Sequence, residues 1–211
     1  MGRSLDSKCK QCRREGTKLF LKGDRCNSSK CALTKRNYVP GLHGPKLGRG
    51  GRLSGYGLQL REKQNAKRTY RILESQFRNY FDKVIKRPGD TGENLFKLLE
   101  MRLDNVVYRA GFAGSRDAAR QAVNHGHIRV NGREVSIPSY QVKIKDKVSI
   151  KDTSTKKGLF TDLSEKLKTK EFADWLLVDP KTCVATVVDA PNLVKNKPGF
   201  DLKMIVEYYS R

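Results

Sequence analysis

Histidine is nearly missing from this chain, with three residues in 211, and acids are scarce: 22 Asp and Glu stand against 44 Lys and Arg. That leaves little from which to build general acid–base chemistry. No glycine-rich nucleotide fingerprint stands at a strand–helix junction, and no pair of acids or histidines converges on one spot. His43 and His125 sit beside glycines as turn residues, while His127 is placed to touch phosphate. Long apolar runs are also lacking: none approaches the roughly 18 residues that span a bilayer. Residues 1–20 are charged throughout, without the apolar stretch of a secretory signal. Only 37% of the residues are hydrophobic, which implies modest cores in one or two domains.

What the chain has in excess is positive charge, a net +22. The partner that fits is a polyanion, nucleic acid before membrane. The most informative stretch is Ser115–Val135. Ser115 is a good N-cap for a helix whose Ala118, Ala119, Ala122 and Val123 form a narrow apolar face, while Arg116 and Arg120, four apart, are expected to face outward. His125-Gly126 closes that helix. Ile128 and Val130 then alternate with His127 and Arg129 as in a half-buried strand, and Asn131-Gly132 starts a tight hairpin into Arg133-Glu134-Val135.

Near the N-terminus, Cys9, Cys12, Cys26 and Cys31 follow the spacing C-x2-C-x13-C-x4-C. Four thiolates in two close pairs suit a tetrahedral zinc site that holds a shape and leaves no coordination position for water. Iron would also accept sulfur. Two disulfides are the rival, disfavoured because no export signal is present and intracellular thiols stay reduced. A redox role for Cys9 and Cys12 lacks its βαβ context. The knot is surrounded by Arg13, Arg14, Lys18, Lys22, Arg25, Lys30, Lys35 and Arg36. The stretch from Tyr38 to Tyr56 follows, rich in glycine with Pro40 and Pro45, and is expected to form no regular element. It is either a flexible linker or a basic strand along phosphates carried by Lys46, Arg49 and Arg52.

One long helix is expected from Gln59 to about Lys86, with Ala66, Tyr70, Leu73, Phe77, Tyr80 and Val84 as its stripe and Arg61, Lys67, Arg68 and Arg71 beyond it. A coiled coil is the alternative reading. Thr91 caps a second helix running to Gly111, with Arg102 on the edge of its aliphatic face, meeting solvent or an acid. Val142–Ile144 and Val148–Ile150 read as another hairpin around Lys145-Asp146-Lys147. Residues 153–173 are weakly helical, with Leu159, Leu163 and Leu167 four apart. Residues 174–178 and 183–188 read as strands, Cys183 as a buried free thiol, and Leu202, Ile205, Val206 and Tyr209 as a terminal helix.

With Met101–Arg109 (MRLDNVVYR) before it, the Ser115–Val135 stretch resembles the RNA-binding module named after small-subunit ribosomal protein S-four. CRREGTKLFLKG, YGLQLREKQ, FRNYF, TGENL and IVEYYSR extend the likeness over nearly the whole chain, to the bacterial form with a zinc knuckle. The resemblance implies an α+β fold. A mainly helical first domain would carry the knuckle, and the module, two helices packed on a small antiparallel sheet, would be inserted in it. The expected segments are 1–45 for the knuckle and basic loop, 46–94 completed by 190–211 for the helical domain, and 95–189 for the module with its following strands.

The same resemblance implies a non-catalytic, cytoplasmic component of the small ribosomal subunit. It would bind small-subunit ribosomal RNA early in assembly at a multi-helix junction of the 5′ domain, with ribosomal protein S-five as a neighbour. Lys46, Arg49 and Arg52 would lie near the path by which messenger RNA enters, helping to unwind it. The remaining RNA contacts expected are Arg13, Arg14, Lys22, Arg25, Lys30, Lys35, Arg36, Arg61, Lys67, Arg68, Arg71, Arg109, Ser115, Arg116, Arg120, His127, Arg129 and Asn131. The competing class is an RNA-modifying enzyme, because the same module is appended to pseudouridine synthases and RNA methyltransferases. Those require a separate catalytic domain.

Overall fold

The computed structural model describes residues 2, 4–47, 53–155 and 158–210. The expected contacts at Arg49 and Arg52 lie outside the described residues, and that at Lys46 outside the described side chains. In chain order the elements are α1 Lys8–Glu15, α2 Ala32–Lys35, α3 Gly44–Leu47, α4 Gly55–Thr69, α5 Glu74–Ile85, α6 Thr91–Glu100, α7 Leu103–Arg109 and α8 Arg116–Asn124. There follow β1 Ile128–Val130, β2 Arg133–Glu134, β3 Lys147–Ile150, α9 Asp152–Thr155, α10 Leu163–Lys168, β4 Leu176–Asp179, β5 Val184–Val187 and α11 Leu202–Tyr209. The chain divides into two units, 1–95 with 198–211 and 96–197, the second inserted in the first. Residues 1–45 thus belong to the same unit as 46–94, and the return to that unit comes at 198.

In the first unit, α11 packs along α4 and α5. Phe77 and Phe81 stack on Tyr209 at 6.0 and 4.6 Å, Gln59 Nε2 donates to Glu207 at 2.7 Å, and Asn65 Nδ2 donates to Gly199 O at 2.9 Å. The single helix expected over Gln59–Lys86 is two. The Arg71 N–H donates to Arg68 O and the Ile72 N–H to Lys67 O, with Arg71 at φ 56°. This is a Schellman stop, usually built on glycine. Arginine is strained there, and its side chain supplies the compensation. It is 3% exposed and donates to Gln11 Oε1 at 2.8 Å and Ser4 O at 2.6 Å, fastening the N-terminal segment to the turn.

The second unit is a five-stranded antiparallel sheet, order β2-β1-β3-β5-β4, among the described residues. Ile128, Val130, Val148, Ile150, Ala185 and Val187 face a core shared with Leu103, Val106, Val107, Ala119, Ala122 and Val123 of α7 and α8. The helix expected from Thr91 to Gly111 breaks at Arg102, which is extended and bridges Gln141. The first N–H groups of α7 are then satisfied from outside the helix, Leu103 by Tyr140 O and Asp104 by Pro138 O. Val142–Ile144 is no strand. Val142 is buried and Ile144 exposed, and β3 pairs with β1 and β5 instead. In α10, Leu163 and Leu167 are buried, whereas Leu159 is exposed and precedes the helix. Cys183 is half-buried at φ 52°, in the turn before β5 and not within a strand.

Candidate nucleic-acid interface

The N-terminal knot is built by α1, which carries Cys9 and Cys12, and by the loop that brings back Cys26 and Cys31. All four are free thiols lining one small cavity of about 20 Å³. The Lys22 N–H donates to Cys26 Sγ at 3.3 Å, and the Leu19 N–H to Cys12. Burial pushes the Cys12 thiol up. Burial acts the same way on Cys31, but N–H donors from Thr34 and Leu33 outweigh it and hold that thiol low. The sulfurs face one space without being drawn in: among the described residues, no three His, Cys, Asp or Glu side chains stand close enough together to hold a metal ion. The donor set, four sulfurs with N–H groups aimed at three of them, is chemically that of a soft-metal site.

Beside the knot lies an open recess of about 910 Å³. Its walls carry Lys10, Arg13, Arg25, Lys30, Lys35 and Arg36, with Asp24 as the acid among its lining residues. Arg13 is fixed there: its Nε donates to Tyr38 O at 3.0 Å and its guanidinium lies 4.6 Å over the Tyr38 ring. Arg14, Lys18, Lys22, Arg25, Lys30, Lys35 and Arg36 are exposed. Lys10 was not among the expected contacts, although it stands one helical turn before Arg13 on α1. On α4, Arg68 and Arg61 both reach the buried Glu15, whose carboxyl burial pushes up, and Lys67 pairs with Glu74 at 3.0 Å. Glu74 also accepts from the buried Lys63 at 2.7 Å and from the Tyr209 hydroxyl at 2.8 Å. Burial opposes ionisation of Glu74, but these three donors win and bring its pKa down to about 2.

In the second unit, Glu100 is wholly buried and accepts both Nε and Nη2 of Arg109 at 2.8 Å and Asn105 Nδ2 at 2.9 Å. Asn105 Oδ1 in turn accepts Arg116 Nε at 2.8 Å, and the Arg116 guanidinium lies 4.5 Å over the Tyr108 ring. Arg109 and Arg116 are therefore held in position at the protein surface by a buried acid and amide. Arg129 pairs with Asp152, His127 Nδ1 meets Ser154 Oγ at 3.0 Å, and Asn131 donates to Asp146 and accepts from the Lys147 N–H at the start of β3.

Three expected contacts turn inward. Arg120 is 1% exposed, with Nη1 3.5 Å from Asp104, which also holds Arg102 at 2.7 Å; α8 thus directs Arg120 into the core and Arg116 outward. Arg71 is consumed by its turn. Ser115 is buried, its hydroxyl capping α8 by accepting from the Ala118 N–H.

No helix among the described residues is long and apolar enough to cross a membrane. Residues 3–100 match the family described as Ribosomal protein S4/S9 N-terminal domain, and residues 101–148 match the S4 domain. Over the full length of both chains, the sequence is 50% identical to small ribosomal subunit protein uS4 of Syntrophomonas wolfei and 49% to that of Koribacter versatilis. It is 50% identical, again over both full lengths, to small ribosomal subunit protein uS4A of Alkaliphilus metalliredigens. A basic helical unit, an inserted small-sheet module and full-length identity of this order lead to one assignment: the chain belongs to the uS4 family of small ribosomal subunit proteins.

Proposed function

We propose that this protein is a non-catalytic structural component of the small ribosomal subunit in the cytoplasm, and that it binds small-subunit ribosomal RNA by neutralising phosphates on two stiff scaffolds. The observation that carries the reading is the recess ringed by Lys10, Arg13, Arg25, Lys30, Lys35 and Arg36. A hollow with six cations repels itself unless a polyanion fills it. The pinned guanidiniums of Arg109 and Arg116 supply the second basic face. Recognition through dispersed cations on rigid faces suits the shape of folded RNA better than a base-reading sheet would. The target is a helix junction in the 5′ domain, with protein S-five alongside and messenger RNA passing the Lys46, Arg49 and Arg52 loop.

The knot completes the proposal. Cys9, Cys12, Cys26 and Cys31 would hold one structural zinc ion, which, bound by four thiolates, supplies folding energy and no catalysis. That all four line one cavity, with N–H groups donated to three of the sulfurs, supports this.

Replacing Lys30, Lys35 and Arg36 together by serine tests the recess. Filter binding to a 5′-domain transcript across a salt series should show a slope shallower by about 0.7–0.9 for each phosphate contact removed. An unchanged slope would remove the recess from the interface.

A further inference from the structure

The loop between α1 and Cys26 holds one residue in a conformation that its side chain resists. Phe20 has φ 51°, in the left-handed region where Cβ crowds the backbone carbonyl and where glycine or asparagine sits with far less strain. Among the described residues, Arg71, Asn131, Lys145 and Cys183 share a positive φ without being glycine. Arg71 is buried in its own bonds, and the other three lie at connections leading into or out of strands. Phe20 differs in being a bulky aromatic, and it is 43% exposed.

Its conformation is imposed from both sides. Leu19 and Leu21 are 4% and 2% exposed and pack with Cys12. The Leu19 N–H donates to Cys12 and the Lys22 N–H to Cys26 Sγ. With both neighbours turned into the knot, the ring between them is turned out. A glycine at this position would meet the same backbone demand at less cost, and the part of the ring that stays exposed does nothing for the fold. Strain retained at an exposed aromatic points to a task outside the fold. Lys18 and Lys22, both exposed, stand on either side of it, with no acid from Thr17 to Gly23. An exposed π face flanked in sequence by two exposed cations matches a strand of nucleic acid, one base on the ring and its phosphates toward the lysines.

We propose that Phe20 is a stacking platform for one unpaired base of the bound RNA, an assignment that rests on the RNA-binding reading above. Leucine would serve as well against an apolar protein pocket, but it offers no flat face to a base.

The test uses the full-length protein, a 5′-domain transcript and the variants Phe20→Leu, Phe20→Trp and Phe20→Gly, with affinity measured across a salt series. F20L and F20G should lose about tenfold in affinity and F20W should keep it. All three should keep the wild-type salt slope, since no phosphate contact is removed. F20L should melt close to wild type, since leucine keeps an apolar side chain on the same backbone, which separates lost stacking from lost structure. F20L binding as tightly as wild type, where wild type itself prefers this transcript to an arbitrary RNA, overturns the stacking role alone. A wild-type protein without that preference overturns the RNA-binding reading beneath it. Normal RNA affinity in F20L combined with failure to join the assembling subunit makes the ring a protein contact and overturns the proposal as well.

Discussion

Arg120→Ala distinguishes a structural arginine from an RNA contact, and the geometry sets the size of the effect. Arg120 is 1% exposed, and its Nη1 lies 3.5 Å from the Asp104 carboxylate, which is itself buried. Removing one member of a buried pair typically costs about 3–5 kcal/mol, because the other charge is stranded. Here Asp104 keeps its two bonds to Arg102, at 3.0 and 2.7 Å, so the stranded charge is only partly uncovered. Truncation also opens a void between α7 and α8, and the expected cost is about 2–3 kcal/mol. For an inserted unit spanning residues 96–197, that corresponds to a midpoint lowered by about 10–20 °C. Circular dichroism melts of the full-length protein measure the shift. RNA affinity at temperatures where the variant stays folded should keep the wild-type salt slope. A variant that melts with the wild type and shows a slope shallower by about one unit would mean that Arg120 reaches phosphate and refute its role in the core.

Acid stability offers a second check. The Glu74 pKa is about 2 in the folded chain against an ordinary 4.5, so its contribution is complete above about pH 4.5 and is lost as pH falls through about 2. Its side chain is 46% exposed, and solvent screening keeps the contribution small. Urea midpoints of wild type and Glu74→Gln should differ above pH 4.5 and converge toward pH 2; a constant difference would show that the ion pairs with Lys63 and Lys67 do not set that pKa. Stripping metal from the purified protein with a chelator should raise amide exchange across roughly the first 40 residues and leave the inserted unit protected, since structural zinc contributes folding energy locally. Unchanged exchange in the N-terminal segment would mean that the four cysteines bind no ion.

Elements whose signals act within a few residues were readable in advance. Ser115 caps α8, Gly126 at φ 70° closes it with the paired bonds of a Schellman stop, and Asn131-Gly132 turns β1 into β2. The stop at Gly111 has the same form. The stop at Arg71 has it too, but it was missed because nothing local marks it: an arginine holds the left-handed turn while Ser4 and Gln11, some sixty residues earlier, accept its guanidinium. Phe20 likewise carries no mark of strain in its own sequence neighbourhood.

Composition and spacing by themselves determined the class of partner, the caps and the hairpin, because charge and turn chemistry are properties of residues and their near neighbours. Only the tertiary structure decided which arginines are spent inside the protein. Arg116 and Arg120 sit one helical turn apart on α8, yet one stacks over Tyr108 and the other is drawn beneath to Asp104. The break between α6 and α7 was decided in the same way, by carbonyls of Pro138 and Tyr140 arriving from a distant loop. Long-range hydrogen bonds and buried ion pairs depend on where the chain returns, and no local pattern encodes that.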